Sequence, residues 1–489
     1  MSHGSRKSIL VALATAAVAA TLAAPARAST PTTPAPSLAW KPCVGASDRE
    51  CADLTVPLDY RKPGGRHLTL AVSRLRSNNA QARRGTLLLI PGGPGGSGRD
   101  ELAEQGQAVR DATHGAYDIV SFDPRGAGGS TRAQCGLNDD DRELTHLLEW
   151  PSADGHIDDN VSRSRRTAEA CLRNGGDVLR SFSTANEVRD IDRLRQALGE
   201  EKLSAWGVSY GTYVGAVYAQ KYPEHTDRWV LDSSGDPDPA RVERGWMANM
   251  AGGADDRFPD FAAWAADPAR DAGHRLAERA EDVRPMVLGL AAKLDRTPGK
   301  FAGGQPLNGN HLRQALQHAL YGDRSFAGLA ELIAAVRDGK EAPGSPVILP
   351  DSDAAITMGV LCNDVEWPRS VPSYARAVAA DRVAHPLTAG QPVNVTPCAF
   401  WSAPAEKPVR ITDAGPSNVL MVQNLRDPST PYRGALKMRE AFGDRARLVS
   451  VDSGGHGVYL AGENACGDEA VTTFLTTGKR PERDTLCRG

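Results

Sequence analysis

The stretch from Leu203 to Ala219, Leu-Ser-Ala-Trp-Gly-Val-Ser-Tyr-Gly-Thr-Tyr-Val-Gly-Ala-Val-Tyr-Ala, constrains the fold more than any other part of the chain. A short apolar run turns sharply at Gly207-Val208-Ser209-Tyr210-Gly211. Small and apolar residues then continue to Tyr222-Pro223. The pattern predicts strand, tight turn and helix, with Ser209 on a strained elbow and its hydroxyl exposed above a sheet. A side chain at 207 or 211 would crowd the neighbouring strand or helix. Gly-x-Ser-x-Gly alone arises by chance roughly 0.3 times in a chain this long. Context must therefore decide between a reactive serine and an ordinary loop.

The context is a series of sheet and helix signals. Leu54 to Ser77 alternates around Pro63-Gly-Gly65 and predicts a β-hairpin. Gly85–Ile90 and Tyr117–Phe122 are continuous apolar runs, as expected of strands covered on both faces. The first ends in Pro91-Gly-Gly-Pro-Gly-Gly-Ser-Gly98, a loop without the Gly-Lys-Ser/Thr of a P-loop or the spacing of a dinucleotide fingerprint. Its backbone N–H groups are free to approach a reacting atom. A helix is expected over Asp100–Arg110. Another is expected over Asn186–Leu198, capped by Ser183-Thr184, with Glu187 three residues after Thr184. Arg228–Ser233 is a further strand. Sheet signals return at Asn418–Val422 and Ala446–Val451, with helices near Gly434–Phe442 and Asp468–Leu475. Strands alternating with helices predict an α/β fold with a mostly parallel sheet.

From about Asp236 to Val409 the strand signal fades into Ala-, Arg- and Asp-rich helical spacing, too long for a loop. The expected organisation is a core of residues 41–235 and 410–489, interrupted by a large, mainly helical cap at 236–409. Arg6 and Lys7 precede an Ala-rich apolar run and Ala26-Arg27-Ala28, so residues 1–28 are expected to be a Sec-type signal peptide. Residues 29–40 are expected to be a leader or pro-segment. The protein is then secreted, with no stable membrane association.

The 489-residue chain carries 57 Lys+Arg against 60 Asp+Glu, and with no basic stripe no nucleic-acid partner is implied. Eight cysteines suit an exported, disulfide-bonded protein. Pairing of sequence neighbours (43–51, 135–171, 362–398, 466–487) is expected because each loop is short and each pair brackets one segment. No Cys-x-x-Cys occurs, so neither a metal nor a cofactor is expected.

A serine nucleophile needs a base, and the base an orienting acid, in the chain order Ser, Asp/Glu, His on this sheet type. Of the histidines after Ser209, only His456 follows a predicted sheet strand near the C-terminus, in Asp452-Ser-Gly-Gly-His-Gly457. Asp427, in Asp427-Pro-Ser-Thr-Pro431, lies just beyond the preceding strand and is the expected acid. Asp452 is the rival, too close to His456 in sequence to orient it well. Asp232 and Asp236 are weaker candidates. The oxyanion donors are expected to be the N–H groups of Tyr210 and Gly93, with Gly92 second, since Pro91 and Pro94 have none.

Together these residues resemble the α/β-hydrolase superfamily. More narrowly they resemble the secreted actinobacterial tripeptidyl aminopeptidase group of the proline-iminopeptidase-like serine peptidases. The pieces that carry the resemblance are Pro91–Gly98, Phe122-Asp-Pro-Arg-Gly126, Gly207–Thr212, Leu361-Cys-Asn-Asp364, Asp427–Pro431 and Gly454-Gly-His-Gly457. The resemblance implies an exopeptidase that takes peptide substrates and releases short N-terminal peptides, typically tripeptides, beneath a helical cap. Pro91 departs from the His of the iminopeptidase motif His-Gly-Gly-Pro-Gly, which weighs against release of single prolines. An aminopeptidase needs carboxylates for the substrate ammonium, and Asp364 and Glu366 are the candidates. Two other readings use the same residues: an esterase or lipase with the same triad, and a catalytically silent hydrolase-fold binding protein.

Overall fold

The computed structural model describes residues 36–488 apart from Glu463, together with Met1; the expected signal peptide and most of the leader lie outside the described residues. The strands are β1 Lys41–Cys43, β2 Ala46–Pro57, β3 His67–Leu75, β4 Gly85–Ile90, β5 Tyr117–Phe122, β6 Leu203–Val208, β7 Thr226–Asp232, β8 Gly299–Lys300, β9 Pro306–Leu307, β10 Val419–Arg426, β11 Ala446–Gly454 and β12 Thr485–Cys487. Among the described residues one sheet holds ten of them, in the order β1-β2-β3-β5-β4-β6-β7-β10-β11-β12, and β8 pairs only with β9. The expected hairpin is β2 against β3, in register from Glu50 opposite Arg74 to Pro57 opposite His67. From β5 to β12 every pairing is parallel.

Residue alternation explains why these segments are strands. Leu88 and Ile90 enter the apolar cluster on one face of the sheet. Leu87 and Leu89 enter the cluster on the other. With both faces covered by helices, every residue of β4 is buried. The chain steps from β4 to β5 on one side and then returns to β6 on the other. The carboxyl ends of β4 and β6 therefore flank a topological switch point, where α/β sheets open a crevice. The glycine-rich loop leaves β4 there, and Ser209 leaves β6.

Between β7 and β10 the chain is mainly helical, with long helices at Val242–Ala266, Ala280–Arg296, Gly309–Ala319, Phe326–Arg337, Asp351–Asp364 and Val371–Ala384. The earlier part builds its own apolar cluster from Phe258, Phe261, Leu312, Leu316, Phe326 and Ile333. The helix Asp351–Asp364 instead lays Ala355, Ile356 and Val360 into the cluster of the sheet. The inserted segment is thus anchored in the core from within. All four disulfides pair sequence neighbours as expected. No helix among the described residues is long and apolar enough to cross a membrane.

One helix start differs from the sequence expectation. The helix runs Thr184–Leu198, and Ser183 alone caps it by accepting the Asn186 N–H. Glu187 does not reach back to the cap. It is buried and accepts the Tyr210 hydroxyl instead.

The Asp-Pro-Arg-Gly turn after β5 has a structural function. Asp123 accepts hydrogen bonds from Ser97 Oγ and from the Arg99 and Gly129 N–H groups, joining the loops after β4 and β5. Arg125, 2 % exposed, makes two 2.7 Å bonds to Asp190 and reaches the carbonyls of Pro57 and Leu58. Replacing it with an apolar residue leaves Asp190 buried without its counter-charge. Arg125→Met is expected to cost about 3–5 kcal/mol, read as a lower midpoint in urea with an unchanged slope.

Candidate functional site

The elbow is as tight as its sequence requires. Ser209 has φ 59° and ψ −126°, a left-handed conformation costly for a residue with a side chain. A Cβ on Gly207 would lie 2.5 Å from the Gly211 carbonyl oxygen, and one on Gly211 would overlap the carbonyl of Ile90. The strain is held by bonds on both sides of the turn. Ser209 N–H donates to the Asp232 carbonyl at 3.0 Å, and Thr212 Oγ1 donates to the Ser209 carbonyl at 2.5 Å. A Cβ on Gly92 would come within 3.2 Å of Ser209 Cβ, so the loop after β4 lies against the serine. No acceptor among the described residues takes the Gly93 or Tyr210 N–H.

His456 and Asp427 meet as the sequence order requires. His456 Nδ1 lies 2.9 and 3.1 Å from the two Asp427 oxygens, and its Nε2 has no hydrogen-bond partner among the described residues. Asp427 is buried and itself fixed, by the Ser429 and Thr430 N–H groups, the Thr430 hydroxyl and Gln423. Burial by itself would lower the His456 pKa. The charge and hydrogen bond of Asp427, with a contribution from Asp232, outweigh it and raise the value above 6.5. The rival acids have other partners. Asp452 is paired with Arg426, and Asp236 with Lys437 and Arg241. Asp232 accepts the Val458 and Tyr459 N–H groups, which fixes the loop just after His456.

Beside Ser209 is a cavity of about 170 Å³, walled by Trp246, Met247, Met250 and Leu361, with Gly93, Tyr210 and Thr430 at its edge. Two polar side chains line it: the Glu243 carboxyl, fully buried and facing the carboxyl of Asp364, and the Gln317 amide, 7 % exposed. Behind Glu243 lies Asp364, buried, which accepts the Thr184 N–H at 2.8 Å and the Thr184 hydroxyl. Thr184 also bonds the Tyr210 hydroxyl at 2.7 Å, and that hydroxyl bonds Glu187. Burial pushes Asp364 up to about 6 and Glu187 up to about 8. Burial, with the charge of Asp364, pushes Glu243 well above the usual carboxyl range. A larger groove of about 440 Å³ is lined by Asp364 and Thr184, which do not line the cavity beside Ser209, and contains none of Ser209, Asp427 and His456.

Residues 386–487 match a family model described as TAP-like protein. A tripeptidyl aminopeptidase of Streptomyces lividans is 34% identical over 463 residues, covering 90% of this chain and 83% of the relative. The chain belongs to this family of α/β-hydrolase serine peptidases. The serine protease Hip1 of Mycobacterium tuberculosis is 28% identical, with 92% and 90% of the two chains covered. A carboxylesterase B of the same organism is 31% identical over 95% and 92%. Among solved structures, a proline iminopeptidase of Mycobacterium smegmatis is 16% identical over 87% and 93%, with a TM-score of 0.36.

Ser209, Asp427, His456 and Gly93 lie on loops at one end of the sheet, and Tyr210 starts the helix that follows Ser209. Asp364 and Glu366 part company. Asp364 is buried on the last residue of the helix; beyond it the chain is extended, with Val365 and Trp367 buried on one side and Glu366 between them exposed on the other. Glu366 is not at the cavity. The carboxyl partner of Asp364 is Glu243, which sequence reasoning missed. It sits in Arg241-Val-Glu-Arg244, where nothing in the pattern separates it from a solvated helix start.

The buried carboxyls also set how stability depends on pH. Glu149 and Glu187 are raised to about 8, and Asp232 and Asp364 to about 6, each first by burial. Above the ordinary carboxyl range, near 4, the unfolded chain has released these protons while the folded protein still holds them. Stability must therefore fall as pH rises from about 5 to about 8, and the raised His456 acts in the same direction. Differential scanning fluorimetry across this window is expected to give a lower melting temperature at pH 8 than at pH 5.5, with the slope reduced in Glu187→Gln.

Proposed function

We propose that this chain is a secreted serine exopeptidase that hydrolyses peptide bonds near a free N-terminus and releases tripeptides through an acyl-enzyme. The observation that carries the reading is that the buried carboxyl of Glu243 lines the same cavity as Ser209 and has the Asp364 carboxyl as its one neighbour able to share a proton. A buried acid without a partner is costly unless it holds a proton or meets a cation. The pair keeps one proton between its two carboxyls and so presents about one negative charge, which one α-ammonium neutralises. The Gln317 amide suits the main chain of a bound peptide. The names of the Streptomyces and mycobacterial peptidase relatives, and four disulfides of the kind formed outside the cytosol, agree with it.

In the proposed reaction Ser209 Oγ attacks the scissile carbonyl carbon and gives its proton to His456 Nε2, with Nδ1–H held by Asp427. The oxyanion takes the N–H groups of Gly93 and Tyr210. His456 then protonates the leaving amine as the C–N bond breaks. Water, deprotonated by His456, attacks the ester and frees the new carboxylate. The esterase reading is favoured by the carboxylesterase B relative, and the same triad serves both reactions. The cavity wall separates them, because an ester substrate has no use for a paired carboxyl site.

The test is mass spectrometry of a plain hexapeptide and its N-acetylated twin after incubation with the enzyme. Tripeptide is expected from the free-amine peptide alone. Ser209→Ala is expected to lower turnover at least about a thousandfold. Glu243→Gln is expected to raise KM about tenfold or more, the loss of one charge-assisted hydrogen bond. Equal cleavage of both peptides would overturn the amine site. Cleavage of simple esters but of neither peptide would favour the esterase.

A further inference from the structure

The loop that carries His456 is gripped from two sides. The core side is Asp232 and Ser233, which take the N–H groups of Val458, Tyr459 and Gly457. The other side belongs to the inserted helical segment. The N–H of His456 donates to the carbonyl of Tyr321 at 2.9 Å, and the Tyr321 ring stands edge-on to the imidazole, with centroids 5.2 Å apart. The Tyr321 hydroxyl bonds Ser429 Oγ at 2.9 Å, two residues beyond Asp427. One residue thus touches the base itself and the loop of its acid.

Ion pairs reinforce the grip. Asp260, on the helix Val242–Ala266, places one oxygen 2.5 Å from Arg257 and 2.8 Å from Arg426. Arg426 immediately precedes Asp427. Its other nitrogen bonds Asp452 at 2.7 Å, and its carbonyl takes the Gly455 N–H at 3.2 Å, so it ties the acid loop to the base loop. Arg257, buried, pairs with Asp323 as well and donates to the Leu320 carbonyl next to Tyr321. The inserted segment therefore meets the loops of His456 and Asp427 at two independent points.

We propose that Tyr321 and Asp260 are positioning residues for His456, so that docking of the helical segment and alignment of the base are one event. The segment then does more than cover the substrate, because an enzyme with the segment lifted has a misaligned base. This rests on reading His456 as the general base. A displacement of the imidazole by a fraction of an ångström is enough to cost about tenfold or more in rate.

The experiment compares Asp260→Asn, Asp260→Glu and Tyr321→Phe with the parent enzyme. It measures kcat and KM across pH on a free-amine tripeptide anilide, together with the NMR signal of the His456 Nδ1 proton in histidine-labelled protein. Asp427 and Asp232 are the charged groups acting on the imidazole, and Tyr321 is its titratable neighbour. Asp260→Asn and Tyr321→Phe are expected to lower kcat about tenfold with KM changed less than about twofold. The acid limb of kcat/KM should move to lower pH as the bond to Asp427 loosens, and the Nδ1 proton signal should broaden or shift. Asp260→Glu should recover part of the loss. Unchanged kcat, or a rise in KM alone with the acid limb fixed, would overturn the proposal. Should Asp260→Asn fail to fold, Tyr321→Phe, which removes one hydroxyl, decides. Should Ser209→Ala turn over as the parent does, the exopeptidase reading fails, and an unmoved His456 signal in both variants still refutes the positioning role.

Discussion

Asp232 is the residue on which the geometry of the site depends. Its carbonyl takes the N–H of Ser209 and so holds the elbow, and its carboxylate takes two N–H groups just past His456. Trp206 and Ser233 complete its shell. A carboxylate buried at the end of β7 is costly, and burial lifts it to about 6, against the pull of these donors. That cost is tolerated because one residue, through its backbone carbonyl and its side chain, fixes the turns of the proposed nucleophile and base to one strand end. Ser233, at φ 64°, carries more strain at the same point, and its hydroxyl oxygen accepts the Gly457 N–H. Strain and buried charge gather here, while β4 and β5, two and three strands away in the sheet, are ordinary strands.

The second costly assembly is the run from Glu187 through the Tyr210 hydroxyl and Thr184 to Asp364 and Glu243. Tyr210 belongs to both of its ends. Its N–H is the proposed oxyanion donor, and its hydroxyl sits among the carboxyls. In the proposed mechanism a substrate ammonium at Glu243 is therefore fixed relative to the oxyanion through one residue, which suits an enzyme that measures distance from the N-terminus.

Much of this was legible in the chain. Gly85–Ile90 and Tyr117–Phe122 read correctly to the residue, because strands buried on both faces leave unbroken apolar runs with turn residues at each end. The disulfides read correctly because short loops closed them. The turn at Ser209 and the meeting of Asp427 with His456 were legible because each of these residues stands on a glycine- or proline-marked loop after a strand, where punctuation is strong. What failed depended on the inserted segment. Glu243 and Tyr321 are helix-start and helix-end residues whose neighbours fix no face until the helices pack. Glu187 fitted a capping pattern that lost to a buried tyrosine hydroxyl. Asp364 and Glu366 were separated by one fact the sequence does not carry, the residue at which the helix stops.

The two halves of the site thus follow different rules. The sheet supplies Ser209, Asp427 and His456 from loops whose shape local sequence dictates. The inserted segment supplies Glu243, Gln317 and Tyr321 through packing alone. Related hydrolases that share the first half can accept esters or peptides, because the chemistry of acyl transfer is the same. Choice of substrate must then come from the second half. A carboxyl pair holding one proton carries about one negative charge, so it is nearly indifferent to a neutral ligand and strongly favours a cation that neutralises that charge. In the proposed mechanism, selectivity for a free amine would follow from charge balance at the cavity wall, without any change in the residues proposed to break the bond.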